Sequence, residues 1–137
     1  MREIHVETIT NSIEELFIEA NYNLPNDVIG AINAALSSEE SEVGKEVLKE
    51  LITNAAIAKR DRIPVCQDTG LAVLFLEIGQ DVHITGGDLS EAVTKGVRNA
   101  YERGYLRKSC CDPFTRTHTG DNTPPIIHMK IVPGDLL

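Results

Sequence analysis

The sequence has 137 residues, enough for one domain that buries a core without covalent staples. Hydrophobic residues make up 42% and charged residues 25%, the balance of a globular chain in water. The net charge of −8 would repel a phosphate backbone, which argues against nucleic-acid binding, and no apolar run approaches membrane-spanning length.

The chain opens with Met1 to Val6, where charged and apolar residues alternate; there is no signal-peptide core, so a cytoplasmic protein is expected. Val6, Ile9, Ile13, Leu16, Phe17 and Ala20 then recur at steps of three and four, one face of an amphipathic helix. Asn21, Asn23 and Pro25 break it, with Pro25 placed at the start of the next helix. Val28, Ile29, Ile32, Ala35 and Leu36 predict that second, short helix. Ser37 to Glu40 reads as a connector. Val43, Val47, Leu48, Leu51, Ile52, Ala55 and Ala56 predict a longer third helix, closed by Lys59 and Arg60, cations that suit a helix C-terminus.

The character changes at Pro64. Leu71 to Ile78 is almost continuously apolar and predicts a buried strand, with a second strand over Val82 to Thr85. Asp88 and Glu91 have capping-box spacing ahead of Leu89, Ala92, Val93, Gly96, Val97, Ala100 and Tyr101, the cleanest helical stripe in the chain, which Gly104 should stop. Residues 108 to 125 read as irregular, and Ile126 to Val132 as a strand. Pro133 to Asp135 is a turn after which Leu136-Leu137 would begin a returning strand, so the chain reads as truncated. The expected class is α/β (α+β): one domain over 1–137, with a helical N-terminal half followed by a small mixed β-sheet with packed helices.

Three cysteines, Cys66, Cys110 and Cys111, are odd in number and two are adjacent, which argues against a disulfide framework. The densest chemistry is Pro64-Val65-Cys66-Gln67-Asp68-Thr69-Gly70, where a thiol, an amide, a carboxylate and a hydroxyl precede a glycine between a helix and a strand. A plain turn with a buried thiol would use similar residues; the density of polar groups favours function. Arg107 is either a solvated surface arginine beside Arg103 and Lys108 or a planar fork able to grip a carboxylate in two places.

This heptapeptide resembles the first cluster motif of class I fumarases and of two-subunit tartrate dehydratases. Thr85-Gly86-Gly87-Asp88, Tyr105-Leu106-Arg107-Lys108-Ser109 and Thr119-Gly120-Asp121-Asn122-Thr123-Pro124 follow in the family's order and at its approximate spacing, from Ala58 onward. The resemblance implies the N-terminal portion of an alpha-type hydro-lyase domain. It also implies a [4Fe–4S] cluster held by three cysteines, one iron being open to substrate. Carried over, Cys66 is a cluster ligand, the other two ligands lying outside this chain. Gln67 and Asp68 contact substrate or the catalytic groups, and Arg107 binds a substrate carboxylate. Asp68 is expected to orient and accept hydrogen bonds rather than act as a general acid. Arg103 and Lys108 are assigned to solvent.

Cys110 and Cys111 are left out of the cluster, since adjacent side chains in an extended segment point apart. His83, His118 and His128 lack metal spacing and are taken as structural. His118 stands where the family is expected to have Asn. The implied reaction is reversible hydration of fumarate to (S)-malate, with dehydration of L(+)-tartrate to oxaloacetate as the alternative. The implied partners are a small dicarboxylate and a beta subunit or beta-type domain, in an oligomer when intact. The isolated chain is expected to be inactive. A non-catalytic small-acid-binding or redox-sensing domain, with Cys66 as sensor thiol, and an assembly domain without chemistry are the readings from other classes.

Overall fold

The computed structural model describes all residues, 1–137. In chain order the elements are β1 (Arg2–His5), α1 (Val6–Tyr22), α2 (Asn26–Ser38), α3 (Glu42–Asp61), β2 (Val73–Gly79), β3 (Val82–Thr85), α4 (Leu89–Arg103) and β4 (Ile126–Val132). The mixed α/β class with a helical N-terminal half followed by strands is what the residue patterns predict. The chain divides into two compact units, Met1–Ile18 with Asp68–Leu137, and Glu19–Gln67.

The first unit centres on α4. Asp88 Oδ1 accepts the Glu91 amide at 2.8 Å, so the predicted cap forms. The apolar stripe is buried from Ala92 to Tyr101, with Leu89 at its start half-buried: Val93, Val97 and Ala100 are 0% exposed and Tyr101 1%. Burying each of the larger side chains contributes about 1.5–3 kcal/mol. Ile9 and Ile13 of α1, and Leu74 and Ile78 of β2, are buried in the same unit. Gly96 lets α1 come close. A Cβ there would stand 2.7 Å from the Thr10 carbonyl and 2.9 Å from Ile13 Cβ. Beside it the Thr10 hydroxyl donates to the Ala92 carbonyl at 3.0 Å. Gly104 follows the helix, yet its φ is −82°; the left-handed residue is Tyr105, φ 51°. Gly104 is small for a packing reason, because a Cβ would meet the Ala100 carbonyl at 2.8 Å and Ile18 Cγ1 at 3.0 Å.

The strands differ from expectation in pairing. They form two parallel two-stranded ladders, β1 with β3 and β2 with β4, rather than one mixed sheet. β1 is an element the sequence reading did not assign; its Arg2 faces Val82 in register. On one face of β2–β4, Phe75 stacks on His128 at 4.9 Å between ring centroids and Lys130 pairs with Glu77. The segment after β4 does not run back along it. The Leu136 carbonyl accepts from the Gly79 amide at 2.7 Å and the Gly134 carbonyl from Asp81 at 2.9 Å, so the tail closes over the end of β2.

The second unit holds the end of α1, α2 and α3. Pro25 occupies the N-cap position of α2 rather than its first turn. Ser37 and Ser38 belong to α2, their hydroxyls bonding back to the carbonyls of Asn33 and Ala34, so the connector begins at Glu39. Ser41 caps α3 by accepting from the Gly44 amide. Arg62 ends α3 in the left-handed region, and its guanidinium lies 5.5 Å from the Tyr22 ring centroid.

Candidate active site

The motif 64–70 begins in the second unit and ends in the first, the division falling between Gln67 and Asp68. Within the second unit Val65 is pinned on both sides. Its amide donates to the Asn21 carbonyl at 2.9 Å, and its carbonyl accepts from Asn54 Nδ2 at 2.8 Å. Cys66 and Gln67 follow directly, and both are exposed. The pinned backbone therefore presents a thiol and an amide to their surroundings. None of the three cysteines is disulfide-bonded.

In the first unit Asp68 is exposed and the next two residues are held tightly. The buried Tyr101 hydroxyl donates to the Thr69 carbonyl at 2.8 Å and lies 3.2 Å from the Gly70 carbonyl. Burial pushes the Tyr101 hydroxyl pKa up; a bond from Asn122 works against this, and the nearby Cys110 adds to it. Gly70 takes φ 61°, a conformation suited to glycine. The Thr69 hydroxyl donates to the Arg107 carbonyl at 2.9 Å, which brings the end of the motif to the predicted carboxylate-binding arginine.

Arg107 itself is exposed and takes part in none of the chain's six ion pairs. Its neighbours both make ion pairs. Arg103 is largely solvent-exposed, as expected, but also pairs with Glu14, and the less exposed Lys108 pairs with Glu102. Both carboxylates lie within reach of a helix end, where a long cation can fold back along the surface. Two residues beyond Arg107, Ser109 Oγ is buried with no hydrogen-bond partner in the chain.

Residues that sequence reasoning did not assign to the site lie behind this surface. Asn122, in the family-like segment Thr119 to Pro124, is 1% exposed and has φ 62°. Its Nδ2 donates to the Gly70 carbonyl at 3.1 Å, and its Oδ1 accepts the Cys110 amide at 2.7 Å. Next to it, Asp121 accepts from the Thr123 amide and hydroxyl and pairs with Arg98 Nε at 2.7 Å. Partial burial pushes the Asp121 carboxyl up. The Thr123 hydroxyl, the Arg98 guanidinium and the Thr123 amide outweigh it and hold the carboxyl at about 2. In the sequence Asn122 stood within the family-like segment Thr119 to Pro124, to which no site role was given.

Cys110 lies half-buried, its amide on Asn122 and its carbonyl accepting from the Thr119 amide. Cys111 bridges His118 through the backbone, and between them Asp112 caps a tight turn by accepting from Phe114 and Thr115. His128 stacks on Phe75. Within neither unit do three His, Cys, Asp or Glu side chains come together as metal ligands. For a cluster, Cys66 is a suitable single donor, exposed on an anchored backbone.

A family model described as Fumarate hydratase (Fumerase) matches residues 10–137. The chain belongs to this family. It is 38% identical over 121 residues to a Methanocaldococcus jannaschii protein provisionally named L(+)-tartrate dehydratase subunit alpha, covering 85% of this chain and 42% of that protein. It is 34% identical over 136 residues to the anaerobic class I fumarate hydratase of Escherichia coli K12, covering 96% of this chain and 25% of that enzyme. It is 28% identical over 134 residues to the L(+)-tartrate dehydratase subunit alpha of Escherichia coli UTI89, covering 95% of this chain and 44% of that subunit. The chain thus spans less than half the length of each of these family members.

Proposed function

We propose that residues 1–137 are the N-terminal portion of the alpha-type catalytic domain of a hydro-lyase that adds water reversibly to fumarate, giving (S)-malate. The observation that carries this reading is the family match over residues 10–137. The site geometry agrees with it. An exposed guanidinium that no internal carboxylate engages is available to a substrate carboxylate, and the Thr69–Arg107 bond keeps it beside the motif loop. The orphaned Ser109 hydroxyl nearby fits a site completed by a polar group, since a buried hydroxyl is otherwise paired.

In this reading Arg107 grips one carboxylate through two parallel N–H bonds, which orients the double bond. Gln67 supplies amide contacts to substrate. Asp68 accepts a hydrogen bond from the added hydroxyl or from the group that moves its proton, holding that proton's path in place. Cys66 is one of three thiolates for a [4Fe–4S] cluster, the other two coming from outside this chain. When bound, that group supplies a Lewis-acidic iron for the substrate's oxygen atoms. A single thiol cannot hold such a cluster, so the isolated chain is inactive. The relatives named as alpha subunits support a beta subunit or beta-type domain as partner within an oligomer. The unbridged cysteines fit a reducing, cytoplasmic setting.

The tartrate reading keeps the same residues and reverses the direction, water leaving L(+)-tartrate to give oxaloacetate. The 38% identity to a tartrate-named subunit favours it, against 34% for the fumarate-named enzyme. Assaying the intact, anaerobically reconstituted enzyme with fumarate and with L(+)-tartrate separates the two. Faster hydration of fumarate supports the leading reading, preference for tartrate supports the second, and no turnover of either removes both.

A further inference from the structure

Asn122 lies in an irregular segment, yet it is as buried as the centre of α4. Both ends of its amide are engaged, and the partners fix which end is which. An N–H at Cys110 requires the oxygen, and a carbonyl at Gly70 requires the nitrogen. The left-handed backbone at this position is one that Asn adopts more readily than most side chains. The two bonds join segments that lie 12 and 52 residues away in sequence.

A third bond completes the arrangement. The Thr69 hydroxyl holds the carbonyl of Arg107, while Asn122 holds the amide three residues later, at Cys110. Both restraints refer to the same short loop, Thr69–Gly70, which directly follows Asp68. The backbone that carries Arg107 is therefore clamped at two points to the loop that carries Asp68.

We infer that Asn122 and Thr69 are positioning residues: together they hold Arg107 in register with the Asp68 loop, and so set where a carboxylate gripped by Arg107 lies. The inference rests on the carboxylate-binding reading of Arg107. The bonds of both residues run to other parts of the chain. Their influence comes through placement, to which catalysis is steeply sensitive: a misplacement of ~1 Å can cost on the order of a hundredfold in rate.

The test uses the intact enzyme with two variants. Asn122→Asp keeps the size and the acceptor for Cys110 but sets an oxygen against the Gly70 carbonyl. Thr69→Val keeps the shape and removes the hydroxyl. Hydrogen exchange is followed by mass spectrometry in peptides covering 69–72 and 107–111, with α4 as internal reference. Iron content, kcat/KM for fumarate, and inhibition by succinate as a non-reacting dicarboxylate are measured alongside. Both variants should exchange faster in those two peptides and not in α4. Succinate should bind roughly tenfold more weakly, kcat/KM should fall at least as much, and iron content should stay unchanged. Loss of protection everywhere, with succinate binding per folded molecule unchanged, would show a merely structural role and overturn the inference. So would local loosening without weaker binding. If Asn122→Asp does not fold, Thr69→Val decides alone, since its hydroxyl is near the surface. Failure of the wild-type enzyme to bind succinate or turn over any dicarboxylate overturns the functional reading and the carboxylate role together; the exchange data then show whether the clamp itself exists.

Discussion

Removing one oxygen atom tests how the motif loop is held. In Tyr101→Phe the ring stays in its buried place, 6.3 Å from the Phe17 ring, and only the hydroxyl is lost. That hydroxyl donates to the Thr69 carbonyl at 2.8 Å; the Gly70 carbonyl keeps its second donor, Asn122 Nδ2. The expected loss is one hydrogen bond, worth about 0.5–1.5 kcal/mol, plus part of the penalty for a carbonyl left without a partner, for a total of about 1–2 kcal/mol. Tyr101→Ala should cost about 3–5 kcal/mol, because it also opens a cavity behind α4. Urea denaturation of the three proteins at neutral pH gives these differences directly. An alkaline series adds a check of sign. Burial raises the Tyr101 pKa above its unfolded value of 10.0. The folded state therefore holds a proton that the unfolded state releases. The associated stability is fully present below pH 10 and is lost as pH rises through the folded pKa, at no more than about 1.4 kcal/mol per pH unit for one proton. Tyr101→Phe should lose that share of the alkaline slope. A Phe variant within a few tenths of a kcal/mol of wild type, with the same alkaline slope, would refute the claim that this hydroxyl anchors the loop.

Arg107→Lys in the intact enzyme should keep the cluster and lower kcat/KM for the dicarboxylate tenfold to hundredfold, since one charge-assisted contact is worth about 1.5–3 kcal/mol; unchanged kcat/KM would remove Arg107 from the site. Cys66→Ser should lose or convert the cluster and abolish hydration, while Cys110→Ser and Cys111→Ser should retain both; iron analysis and turnover read the pattern, and full iron with full activity in Cys66→Ser would refute its role. The carboxyl of Asp121 is held at about 2, below its unfolded value of 3.8, so its stabilisation is present above pH 4 and is lost as pH falls toward 2. The full shift corresponds to about 2.4 kcal/mol, which solvent screening at a pair with Arg98 half exposed reduces to about 1 kcal/mol. Asp121→Asn should therefore be less stable than wild type at pH 5 by that amount, with the gap narrowing at pH 3, as urea midpoints will show.

The helices were legible because a 3.6-residue repeat is written locally. Every residue of the α4 stripe, from Ala92 to Tyr101, is buried as that repeat requires. Strand positions were legible for β2, β3 and β4, but pairing was not. Nothing in Val73 to Gly79 says that its neighbour is 126–132, or that the ladder is parallel. β1 escaped because four residues, two of them charged, carry too little pattern to outweigh a chain start. In the candidate site, Cys66 to Gly70 stood out because its chemistry is contiguous. The bonds behind it did not, since Asn122 reaches Gly70 across 52 residues and an isolated Asn announces no partner. The ion pairs of Arg103 and Lys108 were not foreseen for the same reason: Glu14 is 89 residues from Arg103, and no local rule pairs Lys108 with Glu102 six residues back.

Both ladders are parallel and close over long stretches of chain, which gives the protein a timetable as well as a shape. Arg2 meets Val82, 80 residues later, and Val73 meets Ile126, 53 residues later. At a synthesis rate of ~5–20 residues per second, β1 waits roughly 4–16 s for its partner and β2 roughly 3–11 s. The α2–α3 hairpin needs no such delay, as its contacts are local. During the wait, Val-Leu-Phe-Leu-Glu-Ile-Gly of β2 is an apolar strand with two open edges, the composition that recruits other chains. Glu77 is the single charge in that heptapeptide. In the finished ladder it is a surface partner for Lys130; before that ladder closes it is a charge of the kind that interrupts an apolar strand and disfavours its pairing with other chains.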